Sequence, residues 1–276
     1  MLQVKTESFV LEKEPGYNDE GQILLFSREF GLTRAIASGI CKSNSRLAAW
    51  TEPPALITAD LSIQEDSQWG RRLLTLSPKN YFPQVKAGYE NLRWFWGYVG
   101  ILNYFLPKNT PLPKLYPIWG KILSRNGWWE NANARNLNFA FFITQLLKHE
   151  GLLPDWRYCS SCEKSWLEKE SGFFVVGKEG LLCRKCSSQI SISELQSNLT
   201  LNVIPDFLNI FSPEKELVLP KNILRVPLEE RKILEKCKDS DNLDKILESI
   251  FSHSKINDQV LCRVRNFLLI FLNSIL

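Results

Sequence analysis

The chain has 276 residues, 44% of them apolar and 23% charged, with a formal net charge of +4, a composition that fits a folded protein and excludes a disordered or low-complexity one. At about 100 to 200 residues per domain, two or three units are expected. The longest apolar stretches, such as Phe267 to Leu272, fall far short of the ~20 residues of a spanning helix, so no membrane segment is expected.

Along the chain, the N-terminal stretch Met-Leu-Gln-Val-Lys-Thr-Glu runs into alternating sequence without the basic segment and apolar core of a secretory signal, so no targeting step is expected. Five short strands are predicted within the first eighty residues: Val4 to Leu11, Gly21 to Phe26, Leu32 to Ala37, Ala55 to Ile63 and Arg71 to Leu76. A turn falls at Phe30-Gly31, and Pro53-Pro54 precedes the fourth strand. That strand count fits a small barrel or sandwich. The five-stranded Greek-key barrel of the oligonucleotide/oligosaccharide-binding type (the OB-fold) has this number and binds ligands on one sheet face.

The period changes at Pro83. Tyr89, Leu92, Trp96 and Val99 fall on one helical face and Lys86, Glu90 and Arg93 on another, which predicts a long helix to about Leu106. Pro107, Pro111 and Pro113 end it, and helices are predicted again at Leu115 to Arg125 and Ala132 to His149. After a cysteine segment at about 156 to 190, helical patterns return at Ser193 to Phe211, Leu228 to Lys238, Asn242 to Phe251 and Asn257 to Leu276.

Cys159, Cys162, Cys183 and Cys186 form two C-x-x-C knuckles twenty residues apart. Four thiolates at this spacing close a tetrahedral Zn²⁺ shell with no open position, which predicts a structural ion. Phe173 to Leu182 between the knuckles reads as a hairpin turning at Gly177 to Gly180, which returns the second pair to the first. A segment this small folds only with the free energy of coordination. An iron–sulfur cluster or idle cysteines are the competing readings. A thioredoxin-like site uses one pair near a βαβ unit, and a zinc deaminase needs an H-x-E element that neither His149 nor His253 supplies. The other cysteines, Cys41, Cys237 and Cys262, stand singly, which argues against a disulfide framework and for a reducing, cytoplasmic compartment.

No H-E-x-x-H, phosphate-binding P-loop or G-x-S-x-G elbow occurs, and no carboxylate pair stands out, so a binding protein is favoured over an enzyme. The charge is unevenly placed. Residues 1 to 70 carry a net −4, residues 71 to 125 a net +8 and residues 126 to 276 a net 0. A local excess of this size is what a polyanion-binding face requires, although a solvated helical surface also accounts for it. Trp94, Trp96, Trp119, Trp128 and Trp129 lie near that excess, and their helical spacing reads as core filling in preference to base stacking.

Phe26-Ser-Arg-Glu-Phe-Gly31, Arg34-Ala-Ile-Ala-Ser-Gly39 and Lys42-Ser-Asn-Ser-Arg-Leu47 resemble the "F-T-R-E-x-G … R-A-I-A-x-G-x-x-K-x-x-S-R" stretch of the bacterial RecO recombination mediators. Gly151-Leu-Leu-Pro-Asp155 and Gly180-Leu-Leu-Cys-Arg-Lys-Cys186, which flank the cysteine module, resemble the corresponding family segment. The family stretch is usually richer in arginine and lysine where Cys41 and Asn44 stand here. The resemblance implies a DNA repair and recombination factor, not an enzyme, that binds single- and double-stranded DNA without reading sequence. It further implies annealing of complementary strands and help in loading RecA onto DNA coated by single-strand-binding protein, together with RecR, in a nucleoid-associated cytoplasmic setting.

The expected architecture is α+β: an OB-type β-barrel at 1–80, a helical domain in two parts at 81–155 and 191–276, and an inserted four-cysteine zinc module at 156–190. Candidate DNA-binding residues are Arg28, Arg34, Lys42, Arg46, Arg71, Arg72 and Lys79. Candidate rim cations for the acidic, hydrophobic tail of the single-strand-binding protein are Lys86, Arg93, Lys121 and Arg125, within the helices between about 82 and 150. The alternative reading is a zinc-stabilised protein–protein adaptor without a direct role on DNA.

Overall fold

The structure is a computed structural model, and it describes residues 2–17, 19–42, 45–63, 70–165, 170–175, 180–190, 223–239 and 258–275. The chain is α+β and divides into two compact units, Met1–Asn126 and Gly127–Leu276. The predicted helices Ser193 to Phe211 and Asn242 to Phe251, and the hairpin turn before Gly180, lie outside the described residues.

In the first unit, β1 (Leu2–Pro15), β2 (Glu20–Ser27), β3 (Gly31–Ser38), β4 (Ala55–Ile63) and β5 (Arg71–Asn80) close into a barrel in the order β1-β2-β3-β5-β4. The long β1 pairs antiparallel with both β2 and β4, changing register between Val10 and Glu12, and so serves both halves of the barrel. The closing seam is a short parallel pairing in which Ile36 faces Arg72 and Ala37 faces Leu73. Alternation places Val10, Ile23, Leu25, Ala35, Ala37, Ile57, Ala59 and Leu61 inside. The alanines keep the interior narrow enough for five strands to fill.

β2 does not alternate cleanly, because both of its faces are covered. Leu24 and Phe26 are as buried as Ile23 and Leu25. Outside the barrel, Tyr116 packs its ring 5.7 Å from Phe26 and 5.0 Å from Phe9, and its hydroxyl donates to the Glu7 carbonyl at 3.2 Å. A strand covered on both sides reads as a continuous apolar run.

A short helix that the sequence pattern did not announce, α1 (Arg46–Trp50), joins β3 to β4, with the Ser45 side chain accepting from the Leu47 N–H. The helix expected from Pro83 is two: α2 (Pro83–Lys86) and α3 (Tyr89–Phe105). Gly88 separates them in an extended conformation (φ −166°, ψ 156°), and Asn91 Nδ2 donates back to the Gln84 carbonyl at 2.9 Å. The apolar period runs on across this break, so spacing alone does not reveal it. α4 (Leu115–Ser124) follows the proline segment and sets Trp119 against Phe95 and Tyr98 of α3, each at 6.2 Å. Trp94, Trp119, Trp128 and Trp129 are core residues, while Trp96 is 40% exposed.

In the second unit, α5 (Ala132–His149) starts at Asn131, whose side chain accepts from the Ala134 N–H, and is buried from Asn136 to Leu147. It packs against α7 (Leu228–Asp239) and α8 (Asp258–Ile275). Two α5 side chains cap the end of α7: Gln145 donates to the Cys237 carbonyl at 2.8 Å and Lys148 to the Lys238 carbonyl at 3.2 Å. Between α5 and α7 in sequence come β6 (Gly172–Val175), β7 (Leu181–Leu182), the single turn α6 (Arg184–Ser187) and β8 (Ile223–Val226), the strands forming a sheet ordered β7-β6-β8. β6 and β7 are the expected hairpin strands, with Phe173 opposite Leu182, whereas β8 was not foreseen. Among the described residues, no helix is long and apolar enough to cross a membrane.

Candidate metal centre and cation surface

The four predicted cysteines meet. Their Sγ atoms all lie within 4.8 Å of one another, and the Cys162 and Cys183 sulfurs are 3.9 Å apart. Tetrahedral zinc with Zn–S bonds of about 2.3 Å requires sulfurs about 3.8 Å apart, so the donor set has the size and chemistry of a Zn²⁺ shell.

Local backbone bonds build each knuckle. The Glu163 N–H donates to the Cys159 carbonyl at 2.8 Å and the Cys159 N–H to the Lys164 carbonyl at 3.0 Å, which curls the first pair into one turn, with Glu163 left-handed at φ 56°. In the second, Cys183 caps α6 and its sulfur accepts from the Cys186 N–H at 3.4 Å. The knuckles are joined by Cys183 N–H to Cys159 Sγ at 3.3 Å and by Ser160 N–H to the Leu181 carbonyl at 2.9 Å. Cys159 is fully buried against Val175 and Leu182.

Burial pushes the Cys159 thiol up, yet N–H donors from Cys162, Cys183 and Ser161 outweigh it and bring the thiol down to about 6. Cys186, crowded first by the Cys183 sulfur and then by burial, is pushed up to about 12. A divalent cation held by the four sulfurs would favour their thiolate forms.

Aromatic packing ties the module to α8. The Trp156 ring meets Phe267 and Phe271 edge-on at 5.5 Å each, and Phe174 of β6 meets the same two rings at 5.6 Å.

The candidate DNA-binding cations are spread around the barrel, and four of the seven face barrel carboxylates. Arg34 pairs with Glu12 at 3.2 Å and Glu14 at 2.8 Å, Lys42 with Asp19 at 3.3 Å, Arg72 with Glu20 and Lys79 with Glu7. Arg71 lies over the Phe30 ring at 4.9 Å and donates to Asn109 Oδ1 at 2.5 Å, and burial lowers its pKa. Arg28 in the β2–β3 turn and Arg46 on α1 are exposed. Arg72 and Lys79 of the basic stretch thus pair with carboxylates of residues 1 to 70, while Arg34 and Lys42 find theirs within that acidic stretch.

Of the four rim candidates, Lys86 has its pKa lowered by burial, which the nearby Glu52 charge opposes. Its ammonium donates to the Glu52 carbonyl at 3.0 Å and sits 5.1 Å above Tyr81, whose ring stacks on Trp50 at 3.8 Å. Arg93 pairs with Glu90 one turn back on α3 at 2.6 Å. Lys121 is exposed in the last turn of α4, and Arg125 is its C-cap.

No family profile matches the chain. It is similar to the DNA repair protein RecO of Syntrophus aciditrophicus (strain SB), 26% identical over 185 residues that cover 66% of this chain and 69% of that protein. RecO of Alkaliphilus metalliredigens (strain QYMF) is 24% identical over 205 residues, 73% of this chain and 79% of that protein, and RecO of Bacillus pumilus (strain SAFR-032) is 26% identical over 192 residues, 68% and 70%. These similarities, with a fourth RecO protein at 24% identity over 164 residues, support membership of the RecO family.

Two features were not read from the sequence: the carboxylate partners of the barrel cations, and the placing of Arg184 and Arg225 on either flank of β6. The first pair strands far apart in sequence, as Glu7 and Lys79 do. Arg184 was visible inside the second knuckle, whereas Arg225 sits on a four-residue strand with no periodic signal.

Proposed function

We propose that this chain acts in DNA repair and homologous recombination by holding DNA through backbone phosphates without reading sequence. Kinship with four RecO proteins named for DNA repair is the observation that carries the reading. The closed β1-β2-β3-β5-β4 barrel supports it, since this order fits the OB-fold, whose members hold single strands on one sheet face. In this reading the protein binds single- and double-stranded DNA, anneals complementary strands, and with RecR helps load RecA onto DNA coated by single-strand-binding protein. It works as a cytoplasmic, nucleoid-associated mediator and not as an enzyme. Arg28, Arg34, Lys42, Arg46, Arg71, Arg72 and Lys79 supply phosphate contacts, and Lys86, Arg93, Lys121 and Arg125 the rim for the acidic tail. Cys159, Cys162, Cys183 and Cys186 hold a structural Zn²⁺.

One observation favours the adaptor reading: Arg34, Lys42, Arg72 and Lys79 already face carboxylates, which compete with phosphate. A strand-annealing assay with and without the cognate single-strand-binding protein decides between them. Annealing that persists on coated strands and weakens with salt is expected, and failure of the zinc-loaded protein to shift an oligonucleotide at low salt would leave the adaptor.

A further inference from the structure

Beside the cysteine cluster lies a cavity of about 550 Å³ lined by Glu170, Ser171, Phe173, Arg184 and Arg225. Its floor follows from the strand pleat. Phe174 turns to one side of β6, where it meets Phe267 and Phe271, so Phe173 turns to the other, half-buried. Arg225 of β8 stands directly across from Phe173, and on the opposite flank Leu182 of β7 does so, with Arg184 two residues further on. One half-buried aromatic side chain and two exposed arginines therefore line the same cavity. Arg225 Nε donates to Ser171 Oγ at 3.1 Å, which fixes one of them, and the Glu170 carboxylate, paired with Lys164 at 4.0 Å, closes the wall.

We propose that this cavity holds one nucleotide unit. The two guanidiniums take the phosphate, the Phe173 face stacks with the base, and Glu170 accepts from a base N–H. The volume falls within the range of small-ligand pockets. An acidic peptide suits the cavity less well, because Glu170 repels its carboxylates while accepting from a base N–H. The proposal rests on the nucleic-acid reading above and adds to the barrel a binding point on the zinc module that the candidate residues did not include.

The test uses the zinc-loaded full chain and the variants Arg184→Ala with Arg225→Ala, and Phe173→Leu. Zinc content and far-ultraviolet circular dichroism confirm that each is folded. Binding of a short fluorescein-labelled oligothymidine, followed by anisotropy, should weaken about tenfold or more in the arginine pair, with the salt slope reduced by about 0.7 for each phosphate no longer neutralised. A strand carrying 4-thiothymidine should photocross-link to the peptide that contains Phe173. Calorimetry with AMP separates the sources of the ligand: AMP binding abolished in the arginine pair marks a free nucleotide, and strand binding without AMP binding marks a unit within a strand, both of which keep the proposal. Wild-type strand binding that neither substitution changes overturns the pocket while leaving the DNA reading intact. Absence of strand binding in the wild type removes that reading instead, and absence of AMP binding then removes the pocket as well. An aspartate-rich peptide whose binding is abolished in the arginine pair, with strand binding unchanged, would make this a peptide site and overturn the proposal.

Discussion

Lys79, near the end of β5, forms an ion pair with Glu7 of β1, and the same carboxylate accepts from the Tyr116 hydroxyl at 3.1 Å. One side chain thus links two barrel strands, separated by β4, to the α4 helix that covers the barrel. The bond to Lys79 is the main reason the Glu7 carboxyl lies below its ordinary value; burial opposes it and the Tyr116 hydroxyl reinforces it.

A depressed carboxylate pKa stabilises the fold above the unfolded-state value and loses that contribution as the pH falls through the folded value. Glu7→Gln should therefore lower the thermal midpoint at neutral pH, and the gap to wild type should close on acidification below about 4, the ordinary carboxylate range. Paired melts across that window check it. A gap that stays constant with pH would assign the loss to packing around Tyr116.

The ion pairs Arg34–Glu14 and Arg72–Glu20 are exposed, with side chains 42% to 53% accessible, so each is individually weak. On the proposed reading their removal should affect DNA binding more than stability, because a phosphate at Arg34 or Arg72 must compete with a carboxylate already in place. Glu14→Gln with Glu20→Gln should tighten oligonucleotide binding by about two- to fivefold through Arg72 and by less through Arg34, which Glu12 still holds, with little change in the melting temperature. Anisotropy titrations at several salt concentrations measure this. Unchanged affinity would place the DNA path away from these strands.

The five barrel strands and the four-cysteine cluster were legible for different reasons. β3 and β4 show their inward and outward residues by alternation, and the knuckle spacing of Cys159, Cys162, Cys183 and Cys186 has few other uses. What could not be read depends on distant partners. β8 is four residues long and is held as a strand by β6, some fifty positions earlier, and the break at Gly88 interrupts an apolar period that continues through it. The net charge of each segment was countable, but which carboxylate meets which cation follows only from barrel closure.

Gly31 opens β3 in the left-handed region at φ 60°, and a Cβ there would lie 1.9 Å from the Thr110 carbonyl oxygen. The close approach seats the loop after α3 on the barrel, where the Asn109 N–H donates to the Leu32 carbonyl at 2.8 Å. Gly31→Ala should combine backbone strain with displacement of that loop and cost about 2 kcal/mol or more, read from urea unfolding. Gly127→Ala, where a Cβ meets nothing within 4 Å, is the matched control and should change stability little.

Zinc removal should act on the module and α8 together. The sulfurs sit over a thin apolar layer of Val175 and Leu182, too small to hold the knuckles closed, while Trp156 and Phe174 bridge the module to Phe267 and Phe271. Coordination is worth roughly 10 to 16 kcal/mol in zinc-finger peptides, far more than this layer supplies. Chelation under reducing conditions should therefore release one zinc per chain, shift the tryptophan emission as Trp156 loses its aromatic cage, and lower the thermal midpoint. Cys162→Ser should reproduce the shift without chelator. Emission and melting that ignore both treatments would mean that the four thiols hold the module closed without an ion.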